Sequence, residues 1–274
     1  METQNKDKHF PVIRSGLPLS APFEWLRLGW GDLKASGFPS LFYGLCFAAG
    51  GLLFFLVFRH AVQLLTALTT GFMLAGPFLA IGLYEISRQH EYGKRPSLKE
   101  TLVIWRRNLS SNSLYSLILV VLYLLWARAS LVAFALFYQG GMPSVEGFIA
   151  QILKFDNIDF LLVYLAIGGM FAGLVFALSV VSIPMMLDHN EDTVTAMLAS
   201  FLAFVRNFPV ILVWGALIAA LGLIGIATAF VGHIVLMPLI GHATWHAYRA
   251  LIEPLPPPFA DASKIGYSSP PPRQ

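Results

Sequence analysis

The sequence predicts an all-α membrane protein: six transmembrane helices arranged as three tandem hairpins, each preceded by a short amphipathic helix at the membrane surface. Three observations predict it. First, 57% of the residues are apolar and 14% aromatic while only 12% are charged, against about 25% in ordinary soluble domains. The polar side chains are too few to cover a water-facing surface. Second, six apolar stretches are each long enough to cross about 30 Å of hydrocarbon, which takes about 20 helical residues. Third, the chain repeats one pattern: a basic residue, a small or amide residue, then an apolar run.

Taken in order, residues 1–24 are polar, contain three prolines, and show no apolar core of signal-peptide type before Leu41. They read as a cytoplasmic tail. Residues 25–252 form the membrane domain, with spans at 39–58, 61–87, 113–137, 159–187, 209–230 and 230–250. The last two are nearly continuous, and a single helix of about 40 residues would be roughly 60 Å long and overshoot the bilayer. A tight turn near Phe230, Val231 and Gly232 must therefore part them. Residues 253–274 are Pro/Ser-rich with little to pack, and read as an extended cytoplasmic tail. With a cytoplasmic amino terminus, six spans leave only Arg59, Arg128 and Lys154 of the 18 lysines and arginines away from the cytoplasm. Positive charge on the inside favours that arrangement, with both ends in the cytoplasm.

The repeat shows as LKASGFPSLFYG before the first span, WRRNLSSNSLYS before the third and FVRNFPVILVWG before the fifth. Each even span then carries one proline, Pro77, Pro184 or Pro238, as a helix kink whose freed carbonyl a neighbouring helix can satisfy. Setting Pro77 on Pro238 places Tyr84 on Trp245 and Arg88 on Arg249. These four are expected as interfacial anchors, rings at headgroup level with arginines reaching phosphate. TVTAMLASFLAFVRN (193–207) is the clearest surface helix, with Arg206 toward lipid phosphate, and SVEGFIAQILKF (144–155) is expected to lie flat on the other face. Small residues recur every fourth position at Ala67, Gly71 and Ala75, and at Gly169, Gly173 and Ala177. Such faces let helix backbones approach closely.

Few residues carry candidate chemistry. Cys46 is the single cysteine and lies in an apolar run, which excludes disulfides, thiolate zinc sites and iron–sulfur clusters. GHATWHAYR (241–249) places His242 and His246 one turn apart on one helix face, the spacing by which two imidazoles chelate an ion. Two ligands are too few, and His233 points to the opposite face about 13 Å away along the axis. Interhelical hydrogen bonding to a serine, threonine or carbonyl is the expectation for the pair, with no metal and no cofactor. Arg128 is the one clear charge inside a span, about 22 Å from the start of its helix and so in the outer third of the bilayer, where an arginine can snorkel. It could pair with Glu146, Asp156 or Asp159, or bind an anion or lipid. Arg128, His233, His242 and His246 are thus the candidate polar or ligand-binding residues. No phosphate-binding glycine loop, Ser/His/Asp set or paired-carboxylate site occurs, so an enzyme is not expected, and neither is a nucleic-acid partner.

The stretches WLRLGWGDLKASGFPSLFYGL, GPFLAIGLYEISRQHEYGKRPSL, SIPMMLDH and PLIGHATWHAYRAL resemble a bacterial integral-membrane family known as domain of unknown function 2189. The resemblance covers most of residues 25–251 and implies the bacterial inner membrane. Some members of that family carry the label of a cytochrome c oxidase subunit. A haem–copper catalytic subunit looks like a twelve-helix bundle with metal-binding histidines on several helices, whereas here the embedded histidines lie on one. The resemblance therefore implies a non-catalytic accessory or assembly component of a larger, respiratory complex. Two alternatives are a small-solute or lipid permease, with a polar path through Arg128 and the histidines, and a haem or metal redox protein.

Overall fold

The computed structural model describes residues 10–60, 64–137 and 158–253. The flat helix expected at 144–155, with Glu146 and Asp156, lies outside them, as do most of both tails. Among the described residues the regular elements are helical, and the one β feature is an isolated bridge between Ile13 and Ile252. The helices are α1 (Ala21–Ser36), α2 (Phe38–His60), α3 (Leu65–Glu91), the short α4 (Leu98–Thr101) followed by a 3-10 turn (Ile104–Asn108), α5 (Leu109–Phe137), α6 (Ile158–Ser179), α7 (Ser182–His189), α8 (Thr193–Arg206), α9 (Phe208–Ala227) and α10 (His233–Leu251).

Among the described residues five stretches are long and apolar enough to cross a membrane: Phe38–His60, Leu68–Glu91, Leu98–Leu136, Ile158–His189 and Phe208–Ala227. The sixth expected span is a helix, α10, but the polar residues of its C-terminal half keep it out of that set. The turn expected near residue 230 is present. Ala229 and Phe230 take left-handed φ of 50° and 67°, a conformation that costs a non-glycine residue about 1–2 kcal/mol. The Thr228 hydroxyl steadies it by donating to the Gly225 carbonyl and accepting from the Gly232 amide, each at 2.9 Å.

The surface helices expected before the first and fifth spans are α1 and α8; the one before the third span is shorter, α4 and its 3-10 turn. Asp192 caps α8 by accepting from the Thr195 amide at 3.0 Å. One face of α8 is buried through Ala196, Ala199, Ser200 and Ala203, while Val194, Leu198 and Val205 are exposed. Of the prolines, Pro77 and Pro238 lie inside continuous helices. Near Pro184 the helix breaks instead, between Ser179 and Ser182. A proline removes one helical N–H and clashes one turn back; here the Ser200 hydroxyl accepts the Val181 amide at 3.3 Å and repairs the gap.

The packing places α10 at the centre, in contact with α1, α2, α3, α7 and α9. Close approach explains its small neighbours. A Cβ added at Gly29 of α1 would lie 2.6 Å from the Ala243 amide nitrogen, and one at Gly44 of α2 would overlap the Ile234 carbonyl. Pro238 lies four residues after Ile234, so that carbonyl has no helical N–H, and Gly44 lets α2 lie against it. The small-residue faces singled out in the sequence behave differently. Gly71, Gly169 and Gly173 have nothing among the described residues within 4 Å of an added Cβ, so no described helix seats on them, although Ala177 is buried.

Candidate functional site

The polar half of α10 anchors two adjoining polar networks among the described residues. In the first, His242 is 0% exposed. Its Nε2 lies 2.8 Å from the Ser40 hydroxyl of α2, and its Nδ1 lies 2.8 Å from the Ser87 hydroxyl of α3. Ser40 is bonded in turn to Ser36 at the end of α1. A neutral imidazole offers one N–H and one lone pair, so two hydroxyls satisfy it completely. The Ser87 hydroxyl also favours the charged form of Asp32 of α1. The Ser36 hydroxyl donates to the Leu33 carbonyl at 3.2 Å.

His246 closes this network from the other side, with Nε2 2.9 Å from Asp32 Oδ2 and the two side chains 22% and 16% exposed. Burial pushes the Asp32 carboxyl up, but the hydrogen bonds of His246 and Ser87 and the nearby imidazoles outweigh it and hold it below the usual carboxylate range. The two histidines one turn apart therefore face different partners and do not converge on a shared ion. Among the described residues no group of three or more His, Cys, Asp or Glu side chains is placed to hold a metal.

The second network surrounds Arg249. Its guanidinium pairs with Glu91 of α3 through Nη2 and Nε, each at 2.9 Å, and with Asp188 of α7 through Nη1 at 3.0 Å. It also stacks 5.2 Å from the Trp245 ring and 5.7 Å from the Tyr248 ring. Both rings anchor to the same acids: Trp245 Nε1 donates to Glu91 at 3.1 Å, and the Tyr248 hydroxyl donates to Asp188 at 2.9 Å. The guanidinium fork matches two carboxylates in a way that an ammonium could not.

This geometry corrects the anchor reading. Tyr84 is 8% and Trp245 0% exposed, so both rings pack inside the bundle and neither presents a face to lipid headgroups. Arg249 spends its donors on acids of other helices, and Arg88 is held by Glu85 through contacts of 2.7 and 3.1 Å. The repeat equivalence of the two pairs is an equivalence of partly buried positions: each arginine neutralises a carboxylate that the bundle buries, Glu85 or Asp188. His233 joins neither network. It starts α10 at the far end, its ring 5.5 Å from that of Phe230, with Nε2 buried and unpartnered. Arg128 is exposed on α5, in an apolar groove of about 440 Å³ lined by Leu125, Val132, Leu136, Val163 and Ile167 among others, none of them a histidine.

Sequence reasoning missed Asp32, Ser40, Ser87, Glu91, Asp188 and Tyr248. A signal was present, since a polar side chain inside or beside an apolar span needs a buried partner. The partners lie up to about 200 residues away, at |i−j| of 202 for Ser40 and His242 and 214 for Asp32 and His246, and spacing along one helix cannot pair them.

Residues 64–188, from the start of α3 to the end of α7, match the family described as Predicted integral membrane protein (DUF2189). No curated protein and no solved structure matches the chain. The match and the five apolar helices make this a multi-pass integral membrane protein.

Proposed function

We propose that the chain is a non-catalytic component of a larger membrane assembly in the bacterial inner membrane, crossing six times as three tandem hairpins with both ends cytoplasmic. The observation that carries the partner reading is the uncovered surface of α6. Only 6% of the most apolar window of Ile158–His189 is buried inside the chain, and Gly169 and Gly173 on that surface have open space where a Cβ would be. Two glycines four residues apart with no described residue against them are suited to receive another transmembrane helix.

The crossing number has its own support. Residues 13 and 252 form a bridge, the Arg14 amide donates to Leu251 at 2.9 Å and the Glu253 amide donates to Val12 at 3.0 Å. Residues so joined lie on one side of the bilayer, which requires an even number of crossings between them. Five stretches of the described residues qualify by composition, which favours α10 as the sixth, its polar groups satisfied by neighbouring helices instead of by water. A permease would need one path past Arg128 and the histidines; the groove at Arg128 includes no histidine, and the pair on α10 is spent on internal hydrogen bonds.

Purification from the native membrane in mild detergent, followed by native mass spectrometry, tests the reading. The wild-type chain is expected in a complex heavier than itself, and G169L/G173L is expected alone at an unchanged melting temperature. A wild-type chain that runs alone, or a variant that keeps its partner, contradicts the proposal.

A further inference from the structure

We propose that the cleft between the C-terminal end of α3 and the α4/3-10 segment binds a phosphate group, as carried by an anionic lipid headgroup or by a free phosphate. The cleft has a volume of about 680 Å³ and is lined by Glu85, Arg88, Gln89, Tyr92, Lys94, Glu100, Arg107 and the apolar Val103 and Ile104. Its charges are three cations and two carboxylates, which leaves one unit of positive charge. The carboxylates are already engaged. Glu85 accepts from Arg88 at 2.7 Å and from Gln89 at 2.8 Å, and Glu100 accepts from Gln89 at 3.3 Å. Asp188, which lines the narrow recess next to the cleft, is held by Arg249 and Tyr248. Lys94 and Arg107 have no acidic partner among the described residues.

Two unspent cations facing one cleft, with Arg88 fixed between its acid and the Tyr92 ring 5.9 Å away, make a receptor for a group with several anionic oxygens. A phosphodiester carries one negative charge and matches the excess. Arginine grips phosphate by paired N–H donors and lysine adds a point charge. The position favours the lipid source among phosphates. The cleft lies where a surface segment leads into a span, on the side where the lysines and arginines concentrate, and Leu102, Val103 and Leu109 expose apolar surface along that segment. Basic pockets at the cytoplasmic ends of transmembrane helices are where anionic headgroups gather.

The test uses the full chain in nanodiscs of phosphatidylcholine containing phosphatidylglycerol, with retained lipid read by native mass spectrometry after transfer to detergent, and a parallel titration with inorganic phosphate followed by melting temperature. Phosphatidylglycerol is expected to be retained over phosphatidylcholine. K94Q/R107Q should lower retention by about tenfold or more, the scale of one lost charge-assisted hydrogen bond. K94R/R107K should keep it, and R27Q/K34Q, which removes the same charge from α1, should leave it near wild type. Stabilisation by inorganic phosphate that vanishes in K94Q/R107Q, without lipid retention, would assign the same site to a soluble phosphate. Binding of neither, or equal losses in K94Q/R107Q and R27Q/K34Q, would overturn the site. Both cleft side chains are solvent-exposed, and an unchanged melting temperature of each variant in pure phosphatidylcholine confirms that the fold is intact.

Discussion

Replacing His242 by phenylalanine keeps a flat ring in the dry space between α2, α3 and α10 and removes both nitrogens. Ser40 and Ser87, each almost fully buried, then lose one hydrogen bond apiece, while Ser36 continues to bond Ser40. Two such bonds contribute about 1–3 kcal/mol in total, which for a chain of this size lowers the melting temperature by roughly 3–10 °C. Thermal unfolding in detergent, followed by tryptophan fluorescence, reads the change. The contact also predicts coupling. S40A should cost about 1 kcal/mol in the wild-type chain and little in H242F, because its partner is already gone. A chelator should leave the wild-type melting temperature unchanged, since neither imidazole is assigned to an ion. An H242F chain that melts within about 1 °C of wild type, strictly additive S40A and H242F, or a chelator effect as large as the substitution would each refute this reasoning.

Three further outcomes follow from the same geometry. R249Q leaves Glu91 and Asp188 facing one another without their cation; removal of one partner of a fully buried pair costs about 3–5 kcal/mol, and the 43% exposure of Glu91 reduces this to about 2 kcal/mol, with R249K intermediate. The Asp32 carboxyl is depressed in the folded protein, so its contribution to stability is complete above the ordinary value of 3.8 and is lost as pH falls through the lower folded value; acid titration of melting temperature should show this loss in wild type and lack it in D32N. G44A forces α2 off the Ile234 carbonyl and should cost about 1–3 kcal/mol, whereas G71A, with open space around it, should be neutral or stabilise by up to about 1 kcal/mol through helix propensity, both measured by thermal unfolding.

The spans were legible because length and apolarity are local properties. Expected stretches at 39–58, 113–137 and 209–230 correspond to Phe38–His60, Leu109–Phe137 and Phe208–Ala227, and the turn parting the last two spans was fixed by bilayer thickness alone. What each helix faces was not legible. Trp245 and Arg249 have the composition of a headgroup belt, and their burial becomes visible only when Glu91 and Asp188 arrive from two other helices. The small-residue faces show the same limit in reverse. Gly169 and Gly173 look like packing positions and stand open among the described residues, while Gly29 and Gly44 take the closest approaches to another helix's backbone because α10 meets them. Interhelical hydrogen bonding of His242 and His246 was readable from the scarcity of other ligands; their partners Asp32, Ser40 and Ser87 were not, since tertiary packing alone sets those pairings.

Whether α10 crosses the bilayer is tested most directly by labelling single cysteines with a membrane-impermeant thiol reagent, in a Cys46→Ser background, at the exposed positions Val12, Thr228 and Glu253. Six crossings predict that Thr228→Cys reacts from outside intact cells, while Val12→Cys and Glu253→Cys react only after the membrane is opened. Labelling of Val12→Cys and Glu253→Cys from opposite faces would contradict the six crossings and the end-to-end bridge that supports them.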